Sequence, residues 1–174
     1  MNKQKKRIAL ISGLLLLGLY ALIFGFSEQD GETSGSISLT LSRYGVELWN
    51  RLSGKHLSEL MQQALADYFE HPLRKAAHFA EYAVMGILVS CFLYAFVHSV
   101  KKRYLVSVFW IFISAALDEL HQYFVPGRWA SFADVLLDTC GGAVGAILCC
   151  LFLYRSTRSK IRDERKDKEL ASRI

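Results

Sequence analysis

The sequence predicts an all-α integral membrane protein. It has four transmembrane helices, both termini in the cytoplasm, and two short amphipathic extracytoplasmic helices between the first and second spans. Three observations carry this prediction. Apolar residues make up 52% of the chain and gather in four blocks, near 8–26, 76–98, 104–125 and 133–154. Each is about 20 residues long, which is what a helix needs to cross the hydrocarbon core. The basic residues are lopsided: of 21 Lys and Arg, 15 lie before the first block, at 101–103 or after Tyr154. With four alternating spans these segments share one side, and the positive-inside rule makes that side cytoplasmic. Finally, the acidic residues of the last three blocks all sit toward the opposite, outer end, and the inner halves carry no charge.

Length alone would suit one soluble domain, but the apolar residues are too clustered for that. The net charge of +5 does not point to nucleic acid, because the basic residues after Tyr154 alternate with Asp163, Glu164, Asp167 and Glu169. That tail suits anionic headgroups instead. Cys91, Cys140, Cys149 and Cys150 fall within apolar blocks without zinc-ligand spacing, so they imply neither a disulfide framework nor a metal finger.

Taken in order, residues 1–7 form a basic cytoplasmic N-terminus, and 8–26 form a clean hydrophobic span. Its apolar run is longer than a signal peptide's, and no small-residue cleavage site follows, so a retained helix is expected. Residues 27–71 are extracytoplasmic. The stretch 27–36 is polar and Gly/Ser-rich, a linker. Leu41, Tyr44, Leu48, Trp49 and Leu52 then share a helical face, as do Leu57, Leu60, Met61, Leu65, Tyr68 and Phe69. Two amphipathic helices are expected, about 38–52 and 56–70, lying on the outer leaflet or on the tops of the spans. Pro72 is expected to end the second of them.

Residues 72–154 hold the remaining three spans, and 155–174 the basic tail. Arg74 and Lys75 mark the outer interface of the second span. His78 and Glu81 lie roughly 6–10 Å inward at about 1.5 Å per residue and share a face. The third span begins after the turn Lys101-Lys102-Arg103 and carries Ser114, Asp118, Glu119 and Gln122 late. Pro126-Gly127 makes the outer turn, followed by Arg128 and the interfacial Trp129. The fourth span starts near Ala133, with Asp134 and Asp138 one turn apart. Gly141 to Gly145 has the G-x-x-x-G spacing that allows helix backbones to approach closely.

Ionisable groups within membrane segments are costly, and here they all choose one leaflet. A shared pocket opening outward accounts for them together. The candidate catalytic residues are His78, Glu81, Asp118 and Glu119, an acid–base set. The candidate binding residues are Arg74, Lys75, Gln122, Arg128, Asp134 and Asp138, with the cations suited to phosphate or carboxylate. A divalent cation fits the residue types but is not favoured, because no H-x-x-x-H or E-x-x-H spacing is present. The competing reading is a polar cluster that only packs and caps the helices. Asp134 fits it as an N-terminal carboxylate, but Asp118 and Glu119 lie near a helix C-terminus, where the dipole opposes negative charge. His121 is expected to face elsewhere at the interface, and Ser114 to bond its own helix backbone.

Three motifs, in order, resemble the VanZ-like family of membrane proteins: R-K-A-A-H-F-A-E-Y (Arg74 to Tyr82), D-E-x-H-Q-x-F-x-P-G-R (Asp118 to Arg128) and D-x-x-x-D-T-x-G (Asp134 to Gly141). The resemblance covers about residues 72–150. It implies a protein of the plasma membrane and a link to the cell envelope, since the namesake is associated with resistance to the glycopeptide teicoplanin. Expected partners are the lipid bilayer and a lipid-linked envelope precursor or glycopeptide. The family often has Asn where this chain has Asp138, and an ionised carboxylate, unlike an amide, only accepts hydrogen bonds.

Overall fold

The computed structural model describes residues 3–171, which form five helices: α1 (Lys3–Ser27), α2 (Gly31–Ser53), α3 (Glu59–Leu93), α4 (Val100–Tyr123) and α5 (Phe132–Ala171). There is no strand among the described residues. α1, α3, α4 and the Phe132–Ser156 part of α5 are long and apolar enough to cross a membrane. Residues 1–2 of the expected N-terminal segment and 172–174 of the expected tail lie outside the described residues.

Three expected boundaries move. The 27–36 linker is largely helical, because α2 already starts at Gly31. Asp30 caps it, its carboxylate accepting from the Thr33 N–H at 2.6 Å, and Glu32 adds a favourable charge in the first turn. Together they offset the poor helix propensity of Gly31 and Gly35. α2 ends where Gly54 turns left-handed at φ 64°.

The larger correction concerns Pro72. It does not end the second external helix; α3 runs through it for 35 residues, so that helix and the second span are one rod. Proline removes one backbone bond, and the neighbourhood compensates. Glu70 and Arg74 form an ion pair across the proline, Ser38 donates to Glu70 Oε1 at 2.5 Å, and Ser42 donates to the Ala66 carbonyl at 2.8 Å. Thus α2 is strapped along the N-terminal part of α3. The apolar residues of this hairpin are not packed on the spans: Leu41, Leu48, Leu52, Leu60 and Tyr68 are exposed.

The third boundary is the turn between α3 and α4, which lies before residue 100 rather than at 101–103. Ser99 caps α4 by accepting from Lys102 N–H at 3.4 Å, so the basic triplet forms the first turn of the helix. One of the three turns inward: Arg103 is buried, with its guanidinium over the Tyr94 ring. Ser114 behaves as expected, donating to the Trp110 carbonyl at 3.0 Å, and also shares a hydrogen bond with Tyr20.

The core gathers Leu16 and Ile23 of α1, Tyr82, Met85 and Val89 of α3, Ile111 and Ala115 of α4, and Val135 and Ala146 of α5. α3 and α5 make the most extensive contact, and glycine makes it so close. A Cβ on Gly141 would overlap the Phe79 carbonyl, and one on Gly145 the Ala83 carbonyl. From the other side, Gly86 presses on the Gly142 carbonyl. The expected close backbone approach is therefore present, with α3 as the partner. Gly145→Val should cost about 1–3 kcal/mol, whereas Gly18→Ala, where a Cβ meets nothing within 4 Å, should be neutral or slightly stabilising. Thermal unfolding in detergent, followed by circular dichroism, checks this; equal responses at the two positions would contradict the α3–α5 contact.

Candidate functional site

The polar residues of the three motifs converge at the end of the bundle that carries the α1–α2 and α4–α5 connections. α3 supplies His78, Glu81 and Tyr82, which lie on one face by their spacing. α4 supplies Asp118 and Gln122, one turn apart and hydrogen-bonded to each other at 3.1 Å. α5 supplies Asp134 and Asp138, also one turn apart.

Asp118 is buried, at 9% exposure, and collects donors from three helices. Ser27 of α1 donates to Oδ1 at 2.5 Å, while Tyr82 at 3.4 Å and Gln122 donate to Oδ2. Hydrogen bonds to a charged group contribute about 1.5–3 kcal/mol each, enough to hold a carboxylate against the unfavourable end of α4. Neither Ser27 nor Tyr82 was singled out from the sequence. Ser27 is the first polar residue after the first apolar run, where it looks like the start of a linker; Tyr82 closes the first motif but reads as core.

Glu119 has a separate explanation. Its Oε2 accepts from the Ser131 N–H at 2.8 Å, immediately before α5 begins. A carboxylate near the C-terminus of α4 is thus also at the N-terminus of α5, where the dipole favours it. Arg128 does the converse job for α1, donating from Nε to the Gln29 carbonyl at 3.0 Å and from Nη2 to the Phe26 carbonyl at 3.1 Å. Burial, and then the like charge of Arg74, lower the pKa of this loop arginine from its usual value. Lys75 forms an ion pair with Asp134. His121 stacks on Phe24 with ring centroids 4.5 Å apart and lines neither of the two cavities around His78; its Nε2 is buried without a hydrogen-bond partner.

Two residues stand apart from this bonding. Glu81 has no hydrogen-bond or ion-pair partner among the described residues and lines a cavity of about 200 Å³ with Arg74, His78 and Arg128. His78 comes no closer to a carboxylate than 4.0 Å, from Nδ1 to Oδ2 of Asp138. Arg74, His78 and Arg128 also line a second cavity of about 240 Å³, whose far wall holds Glu119, Gln122, Asp134 and Asp138. These three cationic or basic residues are shared by both chambers; the first is mostly apolar, with Ile23, Phe26, Ile37 and Leu41 in its lining, and the second is the more polar. Of the candidate catalytic residues, His78 and Asp118 converge with Asp138; Glu81 faces the first chamber; Glu119 borders the second with one oxygen committed to Ser131. His78, Asp118 and Asp138 are the residues placed to hold a metal, with ligand atoms within 4.8 Å of one another.

A family model described as VanZ/LLP1 matches residues 13–153. The match extends well beyond the 72–150 region that carries the motifs, and takes in most of α1 and all of α2. No curated protein and no solved structure matches.

Because Arg128 holds two carbonyls in one fork, Arg128→Ala should destabilise the protein by about 1.5–3 kcal/mol. Arg128→Lys should recover only part of that, since an ammonium lacks the planar pair of donors. Limited proteolysis of the α4–α5 connection, together with the melting temperature, reads both variants; full recovery by lysine would show that charge alone is what matters.

Proposed function

The chain belongs to the VanZ/LLP1 family, and we propose that this multi-pass membrane protein binds the anionic headgroup of a membrane-anchored cell-envelope component. The polar chambers open on the extracytoplasmic side of the plasma membrane, with both termini in the cytoplasm. This orientation rests on the basic residues, 15 of which fall on the side of the termini and 6 on the other. Altered susceptibility to a glycopeptide such as teicoplanin is the expected phenotype.

One observation supports the ligand class most directly. The first chamber meets an apolar groove between α2 and α3, and Leu41 and Leu73 line both. The groove, about 660 Å³, is walled by Val46, Trp49, Leu65 and Phe69. A mostly apolar chamber that carries two arginines at its polar edge, joined to an apolar trough, suits an amphiphile. Its phosphate or carboxylate would lie on Arg74 and Arg128, and its chain along the trough.

A second reading has its own observation. Glu81 lacks a partner and lies one turn from His78, the arrangement of an acid–base pair that modifies the bound headgroup. The packing-and-capping alternative accounts for Asp134, Glu119 and much of Asp118, but leaves Glu81 and His78 unexplained.

Purified protein in nanodiscs should bind a polyprenyl phosphate in preference to the uncharged polyprenol. Arg74→Ala should weaken that binding at least about tenfold, consistent with loss of a charge-assisted contact of 1.5–3 kcal/mol. Equal binding of the two lipids would sink the headgroup assignment. In cells, His78→Ala and Glu81→Gln should abolish any teicoplanin resistance at unchanged protein level. Retained resistance in both would leave the capping alternative standing. A changed lipid-precursor profile on overexpression, lost in Glu81→Gln, would select modification over binding.

A further inference from the structure

We infer that His78, Asp118 and Asp138 form a site for a divalent transition-metal cation, drawn from three different helices. Their ligand atoms all lie within 4.8 Å of one another. The decisive observation is Asp138. It is 1% exposed, and its Oδ1 has no hydrogen-bond partner although its neighbourhood is polar. A buried carboxylate oxygen without a donor is expensive, and one beside a second buried carboxylate is more so.

The nearby cations do not relieve it. Lys75 is paired with Asp134, Arg74 with Glu70, and Arg128 donates from Nε and Nη2 to the carbonyls at the end of α1, so none of them is paired with Asp138. Asp118, by contrast, is held by Ser27, Tyr82 and Gln122. Hydrogen bonds of this kind orient a metal-ligating carboxylate and tune its basicity. Bound at about 2.1 Å each, tetrahedral ligands sit about 3.4 Å apart, so small rotations of His78 and Asp138 close the site. One imidazole nitrogen with two carboxylate oxygens favours Zn²⁺ or Mn²⁺ over the all-oxygen preferences of Ca²⁺ and Mg²⁺. His78 and Asp138 both line the second chamber, so the remaining coordination position faces the space where an anionic group would enter. The site stands whether or not the ligand is a lipid.

The full chain, purified in detergent, is stripped with chelator and reloaded separately with ZnCl₂ and MnCl₂. Mass spectrometry of the elements counts bound ion, electron paramagnetic resonance reports on Mn²⁺, and the melting temperature reports on folding. The wild type should take up a stoichiometric ion and melt higher with it. Asp138→Asn and His78→Gln should bind at least about tenfold more weakly, the scale on which coordination-shell changes act, and lose the metal-dependent rise. Absence of stoichiometric ion in the reloaded wild type overturns the inference, whatever the variants do. So does wild-type affinity in Asp138→Asn, which would mean that the buried carboxylate is not a ligand.

Discussion

The glycine contact between α3 and α5 sets the geometry on which everything else depends. Gly141 lies against Phe79 and Gly145 against Ala83, backbone to backbone. This fixes the register of the two helices as well as their distance. With Phe79 opposite Gly141, the residue before it, His78, falls beside Asp138, one turn before Gly141. A side chain at either glycine would separate the helices, and the second chamber would lose the wall that Asp134, Leu137 and Asp138 supply. The small residues thus do more than tighten a membrane interface; they set the separation between an imidazole and a buried carboxylate.

The polar end is also where helix ends are satisfied. Arg128 closes the carbonyl end of α1 and Glu119 the amide end of α5. Both also border the chambers. The same charges that terminate the helices therefore set the field inside the pocket. In water the first and last turns of a helix are completed by solvent. In a bilayer they need protein partners, and ionisable residues near the membrane surface meet that need while remaining available to a ligand. Against this background, Glu81 and His78 stand out because no helix end uses them.

Much of this was legible in the sequence. The four helices long enough to cross a membrane followed from block length, and shared depth pointed to one end of the bundle, where His78 and Asp118 come together with Asp138 while Glu81 and Glu119 face different chambers. The glycine approach followed from its spacing. Other features depended on what came near in space. The dipole objection to Glu119 considered only its own helix, whereas the neighbouring start of α5 reverses its sign. Pro72 looked like a stop because local propensity disfavours helix before proline, but the Glu70–Arg74 pair and the α2 strap carry α3 through it. Ser27 was invisible because nothing about a serine at the end of a span says which carboxylate lies 91 positions away. Metal-ligand spacing was absent for a related reason: His78, Asp118 and Asp138, the proposed ligands, come from three different helices, so no local motif exists.

The continuity of α3 has a mechanical consequence. At about 1.5 Å per residue, its 35 residues span about 52 Å, well over the roughly 30 Å of a hydrocarbon core. The hairpin that α2 makes with its first part and the segment bearing His78 and Glu81 are one shaft, with no loop between them to absorb motion. A force on the exposed apolar flank of the hairpin would reach Arg74, His78 and Glu81 along this one helix. Pro72, where a backbone bond is missing just before Arg74, is where a bend in that shaft would be expected. The trough between α2 and α3 and the chambers around His78 thus share one helix as a common wall.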